Sequence, residues 1–414
     1  MKYIIIGNSA AGLSASKEIR RNDKTGSITI ISKENFPAYG RPMISYYLKN
    51  KITIDKLPIE KESFYKDNRI DIIVDEVIKI NPDKKTVALK SNSEMPYDKL
   101  IVATGSIPFI PPVNNLHAQS NVYTFLDIAS AMALKEVVKT DTKVVILGGG
   151  LIALKAAEGL RGITSNISVI ELADRILPTI LDKNASDEVR THIEKNNIKF
   201  YLKDTIANVI GDDKINKIVL SSGVELPCDI LVMAVGVRPD TKLAVDAGIK
   251  VGRGIIIDKH METNIPSIYA AGDVTEVLDV LDNKNKIIAL WPNAVSGGKI
   301  AGANASGVET IFDGTFPFNA IDFFGLRMIT GGIINADNTF ETKVIKDERG
   351  LSTFIIKDDK LFGYMLIGNV ERAGLFTDII RNGYKLSSFN NILTSRTLLS
   401  YEQTLRANKY KGLV

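Results

Sequence analysis

The sequence predicts an α/β chain with two Rossmann-like nucleotide-binding units followed by a smaller α+β C-terminal domain. Two stretches carry that expectation. Lys2–Lys17, KYIIIGNSAAGLSASK, and Val144–Glu158, VVILGGGLIALKAAE, each run from a β-branched apolar strand through a glycine turn into a small-residue helix. A third observation is that such glycine turns stop near Phe316, where short strands and one helix take over.

In the first unit Tyr3, Ile4, Ile5 and Ile6 read as a buried strand and Gly7 takes the turn. Ser9 stands where a middle glycine is usual, and its small side chain still permits close approach of a phosphate. Ala10 and Ala11 open the helix, and Gly12 lets it lie against the strand. The first helical amides, with the positive end of the helix dipole behind them, then face a pyrophosphate. Ser27–Ser32 is the next strand, and Glu34 follows where an acidic acceptor for ribose hydroxyls belongs. Phe36–Leu48, FPAYGRPMISYYL, is an aromatic and proline-bearing turn suited to lie against a ring system, with Arg41 offering fixed donors to phosphate or carbonyl oxygens. Strands alternate from Ile70 to Leu89, and Leu100–Ser106 is another buried strand ending in glycine. Pro108, Pro111 and Pro112 make a stiff connection that reads as a domain crossing.

Asp127–Lys139 reads as a helix leading into the second unit. There Gly148, Gly150 and Ala153 fill the G-x-G-x-x-A pattern, with Leu151 and Ile152 at the start of the helix. Ile167–Ile170 is the following strand and Glu171 closes it at the ribose-recognising position. A carboxylate there favours NADH, because it repels the extra 2′-phosphate of NADPH, although Arg175 lies close in sequence. Asn197–Cys228 reads as strands and turns, and Asp229–Asp240 holds a buried strand ending at Gly236.

Composition narrows the function. A chain of 414 residues, 45% hydrophobic, can bury large cores in two or three domains. Its net charge of +4, with no basic cluster, argues against nucleic acid as a partner. Cys228 is the one cysteine, which excludes an internal disulfide and a cluster held by four thiolates. It reads as a small buried hydrophobe. His117, His192 and His260 lack ligand spacing, so no metal centre is expected. The N-terminal apolar run breaks at Gly7 and Asn8, which reads as mature protein rather than a signal peptide. The longest apolar run falls far short of the ~20 residues of a membrane span. These features together predict a cytoplasmic protein.

Tyr39, Arg41, Pro42 and Ser45 form a Tyr-x-Arg-Pro-x-x-Ser pattern. With the two glycine motifs, the chain resembles the FAD-dependent pyridine-nucleotide oxidoreductases that include rubredoxin reductases, oxygenase-type ferredoxin reductases and the nitrite reductase large subunit, in which this pattern lies over FAD. The resemblance implies further FAD contacts from Thr104 and Gly105 of LIVATGS, and a return to the FAD domain at Gly236 of GVRP. It implies that Gly272 and Asp273 of SIYAAGDV set a carboxylate at the ribityl and pyrophosphate region. It also implies that the helix opening at Trp291 points at the flavin pyrimidine ring, with Trp291 beside the flavin or in the core. Superfamily members with thiol chemistry carry cysteine in the Phe36–Leu48 region; here there is none. Relatives often have glutamate near the nicotinamide where this chain has Lys155, and Glu158 is either its substitute or part of a salt-bridged helix surface.

On this basis residues 1–110 and 237–314 are expected to form the FAD-binding domain in two segments, 111–236 the NAD-binding domain, and 315–414 the C-terminal α+β domain. The implied activity passes electrons from NADH through FAD to a separate carrier: rubredoxin, a ferredoxin-like protein or a subunit of a redox complex. Alternatives are an NADH oxidase using oxygen, and a flavoprotein that serves as scaffold or sensor.

Overall fold

The computed structural model describes residues 1–113, 115–116, 119–389 and 391–394. His117 and the end of the expected C-terminal domain lie outside the described residues. The chain divides into two compact units, one of Met1–Ala173 with Asn197–Thr315, the other of Asp174–Asn196 with the described residues from Phe316 onward.

Two five-stranded parallel sheets organise the first unit. The first has the order Ile268–Ala270, Lys99–Val102, Lys2–Ile6, Ser27–Ser32, Ile70–Val74. The second has the order Ile198–Leu202, Ile167–Glu171, Val144–Leu147, Ile230–Met233, Val122–Thr124. Parallel strands covered on both faces read as continuous apolar runs, which is why YIII and VVIL were legible as strands. Ile5, Ile28, Ile30, Val145 and Ile146 are fully buried, each worth roughly 1.5 to 3 kcal/mol of burial.

The duplication extends to atoms. The Gly7 amide donates to the Ile31 carbonyl at 2.8 Å and the Gly148 amide to the Ile170 carbonyl at 2.7 Å. Both glycines have φ +112°, and a Cβ on either would lie 2.2 to 2.3 Å from a carbonyl oxygen of the adjoining strand end, Ala103 or Ala234. Each of the two parallel sheets also has a three-stranded antiparallel meander before its returning strand, Val77–Pro96 for the first and Ile206–Pro227 for the second. The connection expected at Pro108 is an antiparallel pair, Ser106–Pro108 with Val237–Pro239, so outgoing and returning chains run side by side.

Helix Ala10–Asn22 packs along helix Trp291–Ala305 through small residues. A Cβ at Gly298 would lie 2.2 Å from the Ala11 carbonyl oxygen, and one at Gly302 2.5 Å from that of Ala15. Arg20 clips the far end of the first helix, donating to the carbonyls of Asn68, Asp23, Gly26 and Arg69 at 2.7 to 3.0 Å.

The second unit is an antiparallel sheet in the order Phe318–Phe323, Leu326–Gly332, Lys360–Gly368, Gly350–Lys357, Glu341–Asp347. Helix Ala373–Asn382 covers it, with Phe376 against Phe354 and Tyr364 at centroid distances of 5.0 and 5.7 Å. The α+β expectation holds, but the sequence showed only two strand-rich stretches. Glu341–Asp347 is an edge strand exposed along almost its whole length, so it carries no apolar alternation to read. Asp174–Asn196, inside the span expected for NAD binding, belongs to this unit, and the Asp182 amide meets Met365 Sδ at 3.4 Å.

Gly298→Val should destabilise the protein by roughly 1 to 3 kcal/mol, because a branched side chain forces two backbones apart. Chemical denaturation measures this, and an unchanged midpoint would show that the helices separate without cost.

Candidate active site

The first site is assembled from five chain segments. Ser9 caps helix Ala10–Asn22 with its backbone only; its side chain makes no capping hydrogen bond and the first turn holds no acid. The positive helix end is therefore open to an anion. Arg41 reaches the same turn, with Nε 3.4 Å from Ser9 Oγ, Nη1 donating to the Leu126 carbonyl at 3.2 Å, and Nη2 paired with Glu34. Tyr39 donates to the other Glu34 oxygen at 2.7 Å and accepts the Ile128 amide at 3.0 Å. Burial pushes the Tyr39 phenol well above its ordinary range, so it remains a donor at neutral pH. Pro42 is the second residue of the short 3₁₀ turn Arg41–Met43, and helix Ile44–Leu48 follows.

Gly272, at φ +85°, sits against Ala11 and Ala294, which brings Asp273 to the open helix end. Burial raises the Asp273 carboxyl above the usual carboxylate range, and the positive charge of Arg41 opposes that shift. Thr104 Oγ1 donates to the Asp240 carbonyl at 2.8 Å, and Gly105 takes φ +72° where the chain leaves the sheet. Trp291 is the first residue of its helix, partly buried against the core around Ile5 and Ala11. That helix also lacks a side-chain cap and a first-turn acid.

These residues fit FAD. The first turn of helix Ala10–Asn22 has no side-chain cap and no acid, leaving its amides to an anion such as a pyrophosphate, and the Ser45 hydroxyl is buried with no partner among the described residues. Such an orphaned group costs about 1 to 3 kcal/mol unless a ligand or water satisfies it.

The second site repeats the plan. Gly150 caps helix Leu151–Leu160 with no side-chain cap and no first-turn acid, leaving the Leu151 and Ile152 end open. Glu171 accepts the Gly149 amide at 2.5 Å and the Ala173 amide at 2.7 Å, which fixes its carboxylate at the mouth of the turn. Arg175, which lies close to Glu171 in sequence, is held by Asp174, the Leu181 and Pro178 carbonyls and Asn335. Gly236, also at φ +112°, lies at the crossing, where its carbonyl accepts the Phe109 amide at 3.0 Å. Glu158 is neither free nor on the surface: it is buried between Lys49 and Lys155.

Sequence reading missed two supports. Tyr65 donates to Asn8 Oδ1 at 3.0 Å and accepts the Ala38 amide at 3.2 Å, steadying the glycine turn. Lys49 pairs with Glu158 across a long sequence separation, and no local pattern announces it. Cys228 is fully buried, with its thiol pushed up to about 12 by desolvation, and so is inert.

Two glycine turns, each opening a helix with no side-chain cap and each followed by an acidic residue, Glu34 or Glu171, are the arrangement of a protein built to hold two nucleotides. The model of the pyridine nucleotide-disulphide oxidoreductase family matches residues 1–298, and the chain belongs to that family. Nitrite reductase [NAD(P)H] of Bacillus subtilis (strain 168) is 29% identical over 396 residues, 94% of this chain. This chain spans about half of that protein's length, 48%. An NADH oxidase of Methanocaldococcus jannaschii is 34% identical over 323 residues, covering 75% of this chain and 71% of that one. The solved structure of NADH:rubredoxin oxidoreductase from Clostridium acetobutylicum matches with a TM-score of 0.77 and 25% identity, covering 98% of this chain and 99% of that one. The cofactors are FAD and NADH.

Asp273→Asn should remove the burial penalty of the charge. A raised carboxyl pKa lowers stability as pH rises from the unfolded value through the folded one, so the apoprotein variant should gain on the wild type above that window. The two should converge below pH ~3.8, the ordinary carboxylate value, and denaturant midpoints across pH 3 to 8 measure it. Glu171→Ala should weaken NADH about 5- to 150-fold, for a loss of ~1 to 3 kcal/mol, with FAD retained. Steady-state kinetics with both nucleotides checks this, and equal use of NADPH by the wild type would contradict the assigned role of Glu171.

Proposed function

We propose that this protein takes electrons from NADH and delivers them, through FAD, to a separate small electron-carrier protein of rubredoxin or ferredoxin-like type, or to a subunit of a redox complex. The observation that carries the acceptor is the single, buried Cys228: within these 414 residues no thiol pair exists to receive electrons. Bound FAD supplies acceptance of a hydride from NADH and release of electrons one at a time.

The family resemblance, supported by the open helix ends, assigns the residue roles in this reading. Gly7, Ser9, Ala10, Ala11 and Gly12 hold the FAD pyrophosphate at the open helix end, and Glu34 takes the adenosine ribose. Arg41 cross-links Glu34 to the Ser9 turn and tempers the charge of Asp273, which binds at the ribityl end with Gly272. Pro42, Ser45, Thr104 and Gly105 border the ring system, and the helix opening at Trp291 directs partial positive charge where reduction places negative charge. Gly148, Gly150, Leu151 and Ile152 hold the NADH pyrophosphate, Glu171 its ribose, and Gly236 turns the chain back. No side chain need act as acid or base; the protein positions the two rings and sets the field around them.

Among the described residues no helix is long and apolar enough to cross a membrane; a cytoplasmic site of action is part of the proposal. A second reading, direct reduction of oxygen, draws on the relative named NADH oxidase.

Cys228→Ser should leave NADH-driven reduction of a one-electron acceptor within about twofold of wild type, since a residue this buried does not exchange thiols. Carrier reduction should fall as salt rises, because a mildly basic protein steers an acidic partner, while flavin reduction by NADH changes less. Oxygen consumption as fast as carrier reduction and indifferent to salt would replace the carrier reading with the oxidase.

A further inference from the structure

Helix Ile44–Leu48 of the FAD half and helix Leu151–Leu160 of the NADH half lie in direct contact. A Cβ at Gly159 would be 2.9 Å from Leu48 Cδ2, and one at Gly162 3.3 Å from Lys49 Cβ. At this contact Lys49 Nζ meets Glu158 Oε1 at 2.8 Å, and Lys155 Nζ meets Oε2 at 2.7 Å. The side chains are 10%, 3% and 20% exposed for Lys49, Glu158 and Lys155, so this is a largely desolvated ion triad rather than a surface pair. Both lysines also stand over the ring of Tyr46, with ammonium-to-centroid distances of 4.5 and 5.5 Å.

We infer that the Lys49–Glu158–Lys155 triad is a positioning link that sets the NADH-binding helix against the FAD site for transfer between the two rings. The inference rests on the two-nucleotide reading above. The helix Ile44–Leu48 carries the orphan Ser45 hydroxyl of the first site, and the helix Leu151–Leu160 begins at the cradle of the second. The two nucleotides are gripped at their pyrophosphates, far along each molecule from the reacting rings. Glycine contact brings the helices close but leaves them free to slide, whereas a buried carboxylate shared by ammonium groups from both halves fixes register. Exposed pairs contribute little to such a constraint; breaking a buried one leaves a desolvated charge behind and shifts the parts it joined.

The test uses the FAD-loaded protein. Lys49→Met should slow flavin reduction at saturating NADH about tenfold, because small displacements from the near-attack geometry cost that much or more. NAD⁺ affinity measured by calorimetry should change less than about twofold, since the Glu171 end is untouched, and so should oxidation of dithionite-reduced protein by ferricyanide. Lys49→Arg, which keeps the charge, should recover most of the rate. The double variant Lys49→Met with Glu158→Leu, which leaves no carboxylate without its cross-half partner, should retain FAD and thermal stability better than Glu158→Leu alone yet remain slow. A Lys49→Met protein that holds FAD and is reduced at the wild-type rate overturns the inference. Equal loss of FAD, NAD⁺ affinity and thermal stability in both Lys49 variants also overturns it, by assigning the triad to folding alone. A wild-type protein that takes up no FAD would instead remove the two-nucleotide reading.

Discussion

A backbone-on-backbone contact made twice governs the first unit. Gly7 against Ala103 and Gly148 against Ala234 each let a strand end turn directly over its neighbour, at distances no Cβ permits. From that turn follow the position of each helix start, the open amides that face a phosphate, and the placing of an acidic residue at the next strand end. The identical φ of the two glycines, the matched amide bonds to Ile31 and Ile170, and the paired meanders mark one structural plan executed twice.

The copies differ where their chemistry differs. In the first, Glu34 is bound by Arg41 and Tyr39, so an ion pair and a phenol of raised pKa pre-set the acid, and the same Arg41 moderates the charge of Asp273. In the second, Glu171 is held by two backbone amides of its own turn, which needs no remote partner. The first site draws on segments from Gly7 to Trp291, whereas the second is nearly local.

Helix packing joins the pieces. Gly298 and Gly302 bring helix Trp291–Ala305 onto Ala11 and Ala15, so a segment almost three hundred residues downstream delivers Gly272 and Asp273 to the first glycine turn. Gly159 on Leu48 does the same between the two nucleotide halves, and there the contact carries a buried ion triad. Small residues at these crossings leave the polar groups beside them little freedom, which suits positioning rather than bulk stability.

By itself the sequence determined the two strand-turn-helix units, their acidic closures and the absence of thiol chemistry within the chain, because each depends on short-range steric and compositional facts: a glycine turn, a small-residue helix, a single cysteine. The α+β character of the C-terminal part was also legible, though its edge strand Glu341–Asp347 was not, since an exposed strand has no buried face to imprint alternation. Tertiary structure alone decided that Arg41 joins Glu34, Ser9 and Leu126, that Tyr65 steadies Asn8, and that Glu158 is neutralised by Lys49 from the other half. Arg41 and Glu34 are seven positions apart, and the other contacts link residues 32 to 109 positions apart. Nothing in local pattern encodes them, because long-range pairing is selected by how helices and sheets pack and by which charges that packing leaves desolvated.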